Sequence, residues 1–116
     1  MLEETLSRLD NSYTVRLTEE MIGIPSVTGG EEALSLYMKD KLEGYGFKTE
    51  LEYVEPGRPN IYGILEGSRP GKRLNYNAHT DTVPAGDDWV ADPFKAVIKD
   101  GRLHGRGACD MKSNIA

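Results

Sequence analysis

A histidine and an aspartate stand two residues apart in Asn77-Ala78-His79-Thr80-Asp81-Thr82-Val83-Pro84, at the end of an apolar run that reads as a strand. Side chains alternate across a strand, so His79 and Asp81 point the same way. A carboxylate beside an imidazole can accept from one ring nitrogen, which fixes the tautomer and leaves the other nitrogen to hold a metal ion. A second carboxylate, Asp110, follows in the glycine-rich stretch Gly105-Arg106-Gly107-Ala108-Cys109-Asp110-Met111-Lys112. Its two oxygens suit a pair of ions, which two-metal hydrolases hold about 3.5–4 Å apart. These residue types point to the first part of a metal-dependent hydrolase site.

Each residue also has a plainer reading. His79 alone is a surface histidine beside a solvated carboxylate, and Asp81 an Asx-type turn residue ahead of Pro84. Asp110 sits where a helix begins, so an N-cap is its simplest role. The neighbours carry less chemistry. Gly105-Arg106-Gly107 lacks the full dinucleotide fingerprint and follows a hairpin, which argues against a phosphate loop. Cys109 reads as a small buried residue. His104 has no carboxylate two residues away and reads as a packing or surface residue. Asp87, Asp88 and Asp92 form a solvated loop around Trp89, with Trp89 and Phe94 anchoring it against the sheet.

The elements that must position these groups follow from periodicity. A helical pattern runs from Met1 to Ile22, broken near Asp10-Asn11-Ser12, and Pro25 ends it. Thr28-Gly29-Gly30-Glu31 matches a capping box, with Thr28 as cap. The helix it opens places Leu34, Tyr37, Met38, Leu42 and Tyr45 on one stripe, and Gly44 or Gly46 closes it. From Phe47 the period becomes two, through Tyr53, and Pro56-Gly57-Arg58-Pro59 is a turn. Asn60 to Glu66 is a second strand. Arg73 to Thr82 is a third, more continuously apolar and so more central, with the site at its C-terminal end. Ala96 to Lys99, Asp100-Gly101 and Arg102 to His104 make a hairpin with a favoured two-residue turn. A helix begins near Asp110 to Lys112 and has barely started at Ala116, so the chain reads as cut short.

Composition narrows the function class. At 116 residues the chain can fill one compact domain with a modest core. A net charge of −5 leaves no basic footprint for nucleic acid. No apolar run is long enough to cross a bilayer, and the acidic N-terminus with Glu3 and Glu4 is unlike a secretory signal, so no membrane partner is expected. One cysteine forms no internal disulfide, which fits a reducing compartment; the expected location is the cytoplasm.

The whole arrangement resembles the N-terminal part of the catalytic domain of co-catalytic zinc peptidases, metallopeptidase family 20. This is the acetylornithine deacetylase, succinyl-diaminopimelate desuccinylase, aminoacylase and carboxypeptidase G2 group. The resemblance runs from Ile24-Pro25-Ser26-Val27-Thr28-Gly29 to Met111-Lys112. Its specific motifs are Ala78 to Pro84 and Asp100 to Lys112, with Trp89 and Asp92-Pro93-Phe94 between them. The resemblance implies that His79 ligates one zinc ion, that Asp81 orients it as a catalytic residue, and that Asp110 bridges two ions. It implies hydrolysis of the amide bond of N-acyl amino acids or small peptides, with zinc as cofactor and cobalt or manganese as substitutes. Family members continue with a Glu-Glu pair (general base, then ligand), another carboxylate, a second histidine, and a lid or dimerisation domain that makes a homodimer an open expectation. None of these can be placed in the 116 residues.

The expected fold is therefore α/β: a partial three-layer zinc-peptidase catalytic domain, with two N-terminal helices on a mixed sheet of three main strands plus a hairpin. Residues 1–116 read as the N-terminal part of that domain, without its C-terminal half or its lid. A catalytic zinc takes three protein ligands and a water. With His79 and Asp110 alone, tight zinc binding and turnover by this chain in isolation are not expected. The alternative is a non-catalytic binding or assembly module that retains half a metal site.

Overall fold

A computed structural model describes residues 2–116, with Leu2 described in its backbone only; the part of the first helix assigned to Met1 lies outside the described residues. The first helical pattern resolves into α1 (Leu2–Leu6) and α2 (Asn11–Ile22). Asp10 makes the break: its Oδ1 accepts from the N–H groups of Ser12 and Tyr13, so it caps α2. α3 (Glu32–Gly44) ends in a Schellman arrangement. Gly46 takes φ +84°, its N–H donates to the Glu43 carbonyl, and the Phe47 N–H donates to the Leu42 carbonyl.

Thr28 does not cap α3, contrary to the capping-box reading. Its hydroxyl is drawn 53 residues along the chain to Asp81. Glu31 accepts from the Gly29 N–H and turns inward to pair with Arg58, at 3.0 Å from Nη2. A buried carboxylate with a guanidinium in reach has more to gain there than from capping.

β1 (Lys48–Glu55) and β2 (Arg58–Ile64) form an antiparallel pair with an irregularity between Tyr53 and Glu55. α3 packs on this hairpin, where Gly63 leaves room for Leu42 and Phe47. β3 (Val97–Lys99) and β4 (Arg102–His104) form a second antiparallel pair. Its two turn residues both have positive φ, Asp100 at 52° and Gly101 at 70°, as a tight two-residue hairpin turn requires. A short α4 (Ser113–Ile115) returns to α2 and adds Ile115 and Ala116 to the core of Leu17, Met21 and Leu34.

The α/β class holds, but the sheet differs from expectation. Residues 73–82 form no ladder strand; their one bridge is parallel, Val27 to Thr82. A central strand exists only when neighbours pair with it on both sides, and among the described residues only 26–28 lie alongside. The apolar residues that suggested a buried strand are accordingly in solvent, Leu74 at 75% and Tyr76 at 87% exposure. The outline agrees. Its radius of gyration is 15.8 Å, above the roughly 13 Å of a compact domain of this length. No helix among the described residues is long and apolar enough to cross a membrane.

Candidate metal centre

The loop after α2 sets the position of His79 and Asp81. The Thr82 N–H donates to the Ser26 carbonyl at 2.8 Å, and the Thr28 N–H donates to the Thr82 carbonyl at 3.1 Å. The buried Ser26 hydroxyl donates to the Thr80 carbonyl at 2.8 Å. These bonds lay 80–82 against the loop. The Thr28 hydroxyl then donates to Asp81 Oδ2 at 2.7 Å. The other face of Asp81 meets the imidazole: His79 Nδ1 lies 3.0 Å from the Asp81 carbonyl oxygen and 3.2 Å from Oδ1.

Asp110 comes from the opposite wall. Gly105 and Gly107 bring its loop close to the body of the protein. A Cβ on Gly105 would stand 2.6 Å from Ile22 Cγ2, and one on Gly107 would stand 2.8 Å from Thr82 Cγ2. Gly107 is also left-handed, at φ 82°. Close backbone approach is thus what the Gly-x-Gly spacing supplies here. An irregular turn over Ala108–Lys112 follows, non-helical at Asp110 and Met111, with a cis Asp110–Met111 peptide. Asp110 caps no helix. Its carboxylate is largely exposed, and Oδ1 lies 2.9 Å from His79 Nε2. The Met111 sulfur accepts from the His79 N–H at 3.3 Å.

Both ring nitrogens of His79 therefore face oxygens. The Asp110 hydrogen bond, then the Asp81 carbonyl, raise the His79 pKa above its ordinary value. The Thr28 hydroxyl, with the facing imidazole assisting, holds Asp81 below the usual carboxylate range despite partial burial. His79, Asp81, Thr82, Val83, Arg106 and Asp110 line a concavity of about 120 Å³. Among the described residues, no three His, Cys, Asp or Glu side chains are placed to hold an ion together. An imidazole nitrogen and a carboxylate oxygen side by side in the lining of this concavity are nonetheless donor types that suit a zinc-type cation. The chain offers two such donors, with Asp81 supporting the first.

The family model described as "Peptidase family M20/M25/M40" matches residues 76–116, the stretch that carries all three of these side chains. Succinyl-diaminopimelate desuccinylase 2 of Ruegeria sp. (strain TM1040) is 39% identical over 104 residues, 88% of this chain and 26% of the relative. A succinyl-diaminopimelate desuccinylase of Burkholderia cenocepacia (strain HI2424) is 38% identical over 109 residues, 90% of this chain and 28% of the relative. The chain belongs to peptidase family M20/M25/M40. It spans about a quarter of the length of the curated relatives it matches.

Within this M20 segment, several side chains take unexpected places. Cys109 is exposed, not buried, because the irregular turn presents it to solvent. Asp92 accepts from the Phe94 N–H and so shapes its own loop. Trp89 donates to the Ala85 carbonyl and lies under the Arg106 guanidinium, which shares that acceptor. His104, by contrast, is exposed on β4, in keeping with its reading as a packing or surface residue. Thr28, Arg106, Met111 and Lys112 also stand at or beside the site, and no site role follows for them from the sequence alone. Thr28 was hidden by a plausible local alternative. Lys112 closes a glycine-rich loop, and nothing in that local pattern indicates that it is buried.

Proposed function

We propose that these residues form one side of the metal site of an amide-hydrolysing M20 enzyme. The observation that carries this reading is the convergence of His79 Nε2 and Asp110 Oδ1, 2.9 Å apart at the mouth of one concavity. His79 would hold one ion through Nε2, with Asp81 keeping the proton on Nδ1 and the ring in plane. Asp110, exposed at the rim, would offer its carboxylate to two ions. Divalent cations bound there, zinc by preference and cobalt or manganese in substitution, supply Lewis acidity toward an amide carbonyl. Arg106 adds a positive charge to the wall, which suits a substrate that bears a carboxylate.

The named relatives are desuccinylases, and we take an N-acyl amino acid, with N-succinyl and N-acetyl forms first, as the substrate class. Two donors do not complete a catalytic site, so the general base and remaining ligands come from outside these residues, and the chain alone is expected to be inactive. The reading also places the protein in the cytoplasm, supported by its single exposed thiol. The test is amine release from N-succinyl and N-acetyl amino acids by a polypeptide that joins this segment to the rest of an M20 domain. Turnover that is lost on chelation and restored by zinc or cobalt supports the reading. Metal-independent turnover, or none with any acyl amino acid or dipeptide, refutes it.

A further inference from the structure

We infer that Lys112 is a positioning residue for Asp110: its ammonium pins the carboxylate's loop to the end of α2, and this sets where Asp110 stands relative to His79. The inference rests on the reading of Asp110 as a metal ligand. Lys112 is 1% exposed, although lysine is among the residues least often fully buried. Its Nζ donates to the Met21 carbonyl at 2.7 Å and to the Ile24 carbonyl at 2.8 Å. These carbonyls lie at the C-terminal end of α2, where cations are favoured.

The rest of the side chain is held as closely. A Cβ on Gly107 would stand 3.2 Å from Lys112 Cδ and 3.3 Å from Cε, so the stem occupies the room that Gly107 leaves. The Lys112 N–H donates back to the Gly107 carbonyl at 2.9 Å, closing the loop on itself. Asp110 sits inside this closed turn, and among the described residues the hydrogen-bond partner of its carboxylate is His79. An apolar residue would fill the same volume without desolvating a charge. A lysine adds direction, because its two acceptors are main-chain atoms at fixed places. The loop is thereby held on one side by α2 and on the other by the Met111 sulfur against the His79 N–H.

The experiment compares the full chain with K112M, K112Q and D110N, reading the side-chain ¹⁵N shifts of His79 at fixed pH without metal, and the affinity for Co(II) by calorimetry. Far-UV circular dichroism well below the melting temperature confirms the fold. In K112M we expect the His79 Nε2 shift to move toward its D110N value and Co(II) affinity to fall tenfold or more. A folded K112M with unchanged His79 shifts and Co(II) affinity, merely less stable, overturns the inference. Should K112M unfold, K112Q, which keeps an amide donor, is read in its place; unfolding of both also overturns it, since Lys112 would then serve the whole fold. If D110N binds Co(II) as well as the unaltered chain, the ligand assignment fails, while the metal-free His79 shifts of K112M still decide the positioning.

Discussion

Replacing Gly105 by alanine should destabilise the protein, and the structure sets the amount. The added Cβ would stand 2.6 Å from Ile22 Cγ2, 3.1 Å from Cδ1 and 3.4 Å from Cγ1. Carbon atoms rest about 3.5–4.0 Å apart, so the two elements must separate by about an ångström. Ile22 cannot swing away: it is fully buried, and its β-branched side chain has one favoured rotamer in a helix. Overpacking of this kind costs about 1–3 kcal/mol, offset by about 0.4–1 kcal/mol from a stiffer unfolded chain. The net loss is about 1–2 kcal/mol, or roughly 4–12 °C in Tm. Gly44→Ala gives the contrast, because a Cβ there meets nothing within 4 Å in the last turn of α3. It should stabilise by about 0.5–1 kcal/mol. Urea and thermal melts followed by circular dichroism read both. A G105A chain as stable as the unaltered one would refute the claim that Gly105 is there for close approach to α2.

Other expectations follow from named contacts. Asp81→Asn keeps the shape but weakens the acceptor behind His79, and should lower Co(II) affinity about 10–100-fold, read by calorimetry, with little change in the melt. Arg58→Met leaves the buried Glu31 carboxylate to the backbone N–H groups of Gly29 and of Glu31 itself, and should lower stability at pH 7. Burial works to raise the Glu31 pKa, but the hydrogen bonds from Arg58 and Gly29 outweigh it, so the folded value lies below the ordinary 4.5. The stability this brings is fully present above 4.5 and is lost as pH falls through the folded value. The gap between R58M and the unaltered chain should therefore narrow in urea melts taken from pH 7 down to pH 3; a constant gap would count against the pair. Gly107→Ala should cost more than G105A, since it adds left-handed strain to contacts with Thr82 and Lys112, and paired melts will show the order.

Much of the scaffold was legible because its signals are local. Asp10 announces the break between α1 and α2 through a side chain suited to capping, and Gly46 at the end of α3 and Asp100-Gly101 in the hairpin through left-handed conformations that few residues adopt. The proximity of His79 and Asp81 was legible for the same reason, as spacing along extended backbone. What failed was non-local. The apolar run at 73–82 looked like a central strand, but its status depends on partners that no local pattern reveals. Thr28 matched a capping box until a carboxylate 53 residues away offered a better acceptor. No local pattern shows that Lys112 is buried, and only the fold brings two main-chain carbonyls to its ammonium.

A Co(II) titration of the full chain followed by NMR, beside H79N and D110N, tests the metal site most sharply. Paramagnetic broadening should begin at His79, Asp110 and Met111, with affinity weakened at least tenfold in either variant. Broadening spread over unrelated carboxylates, or equal in all three chains, would contradict this assignment.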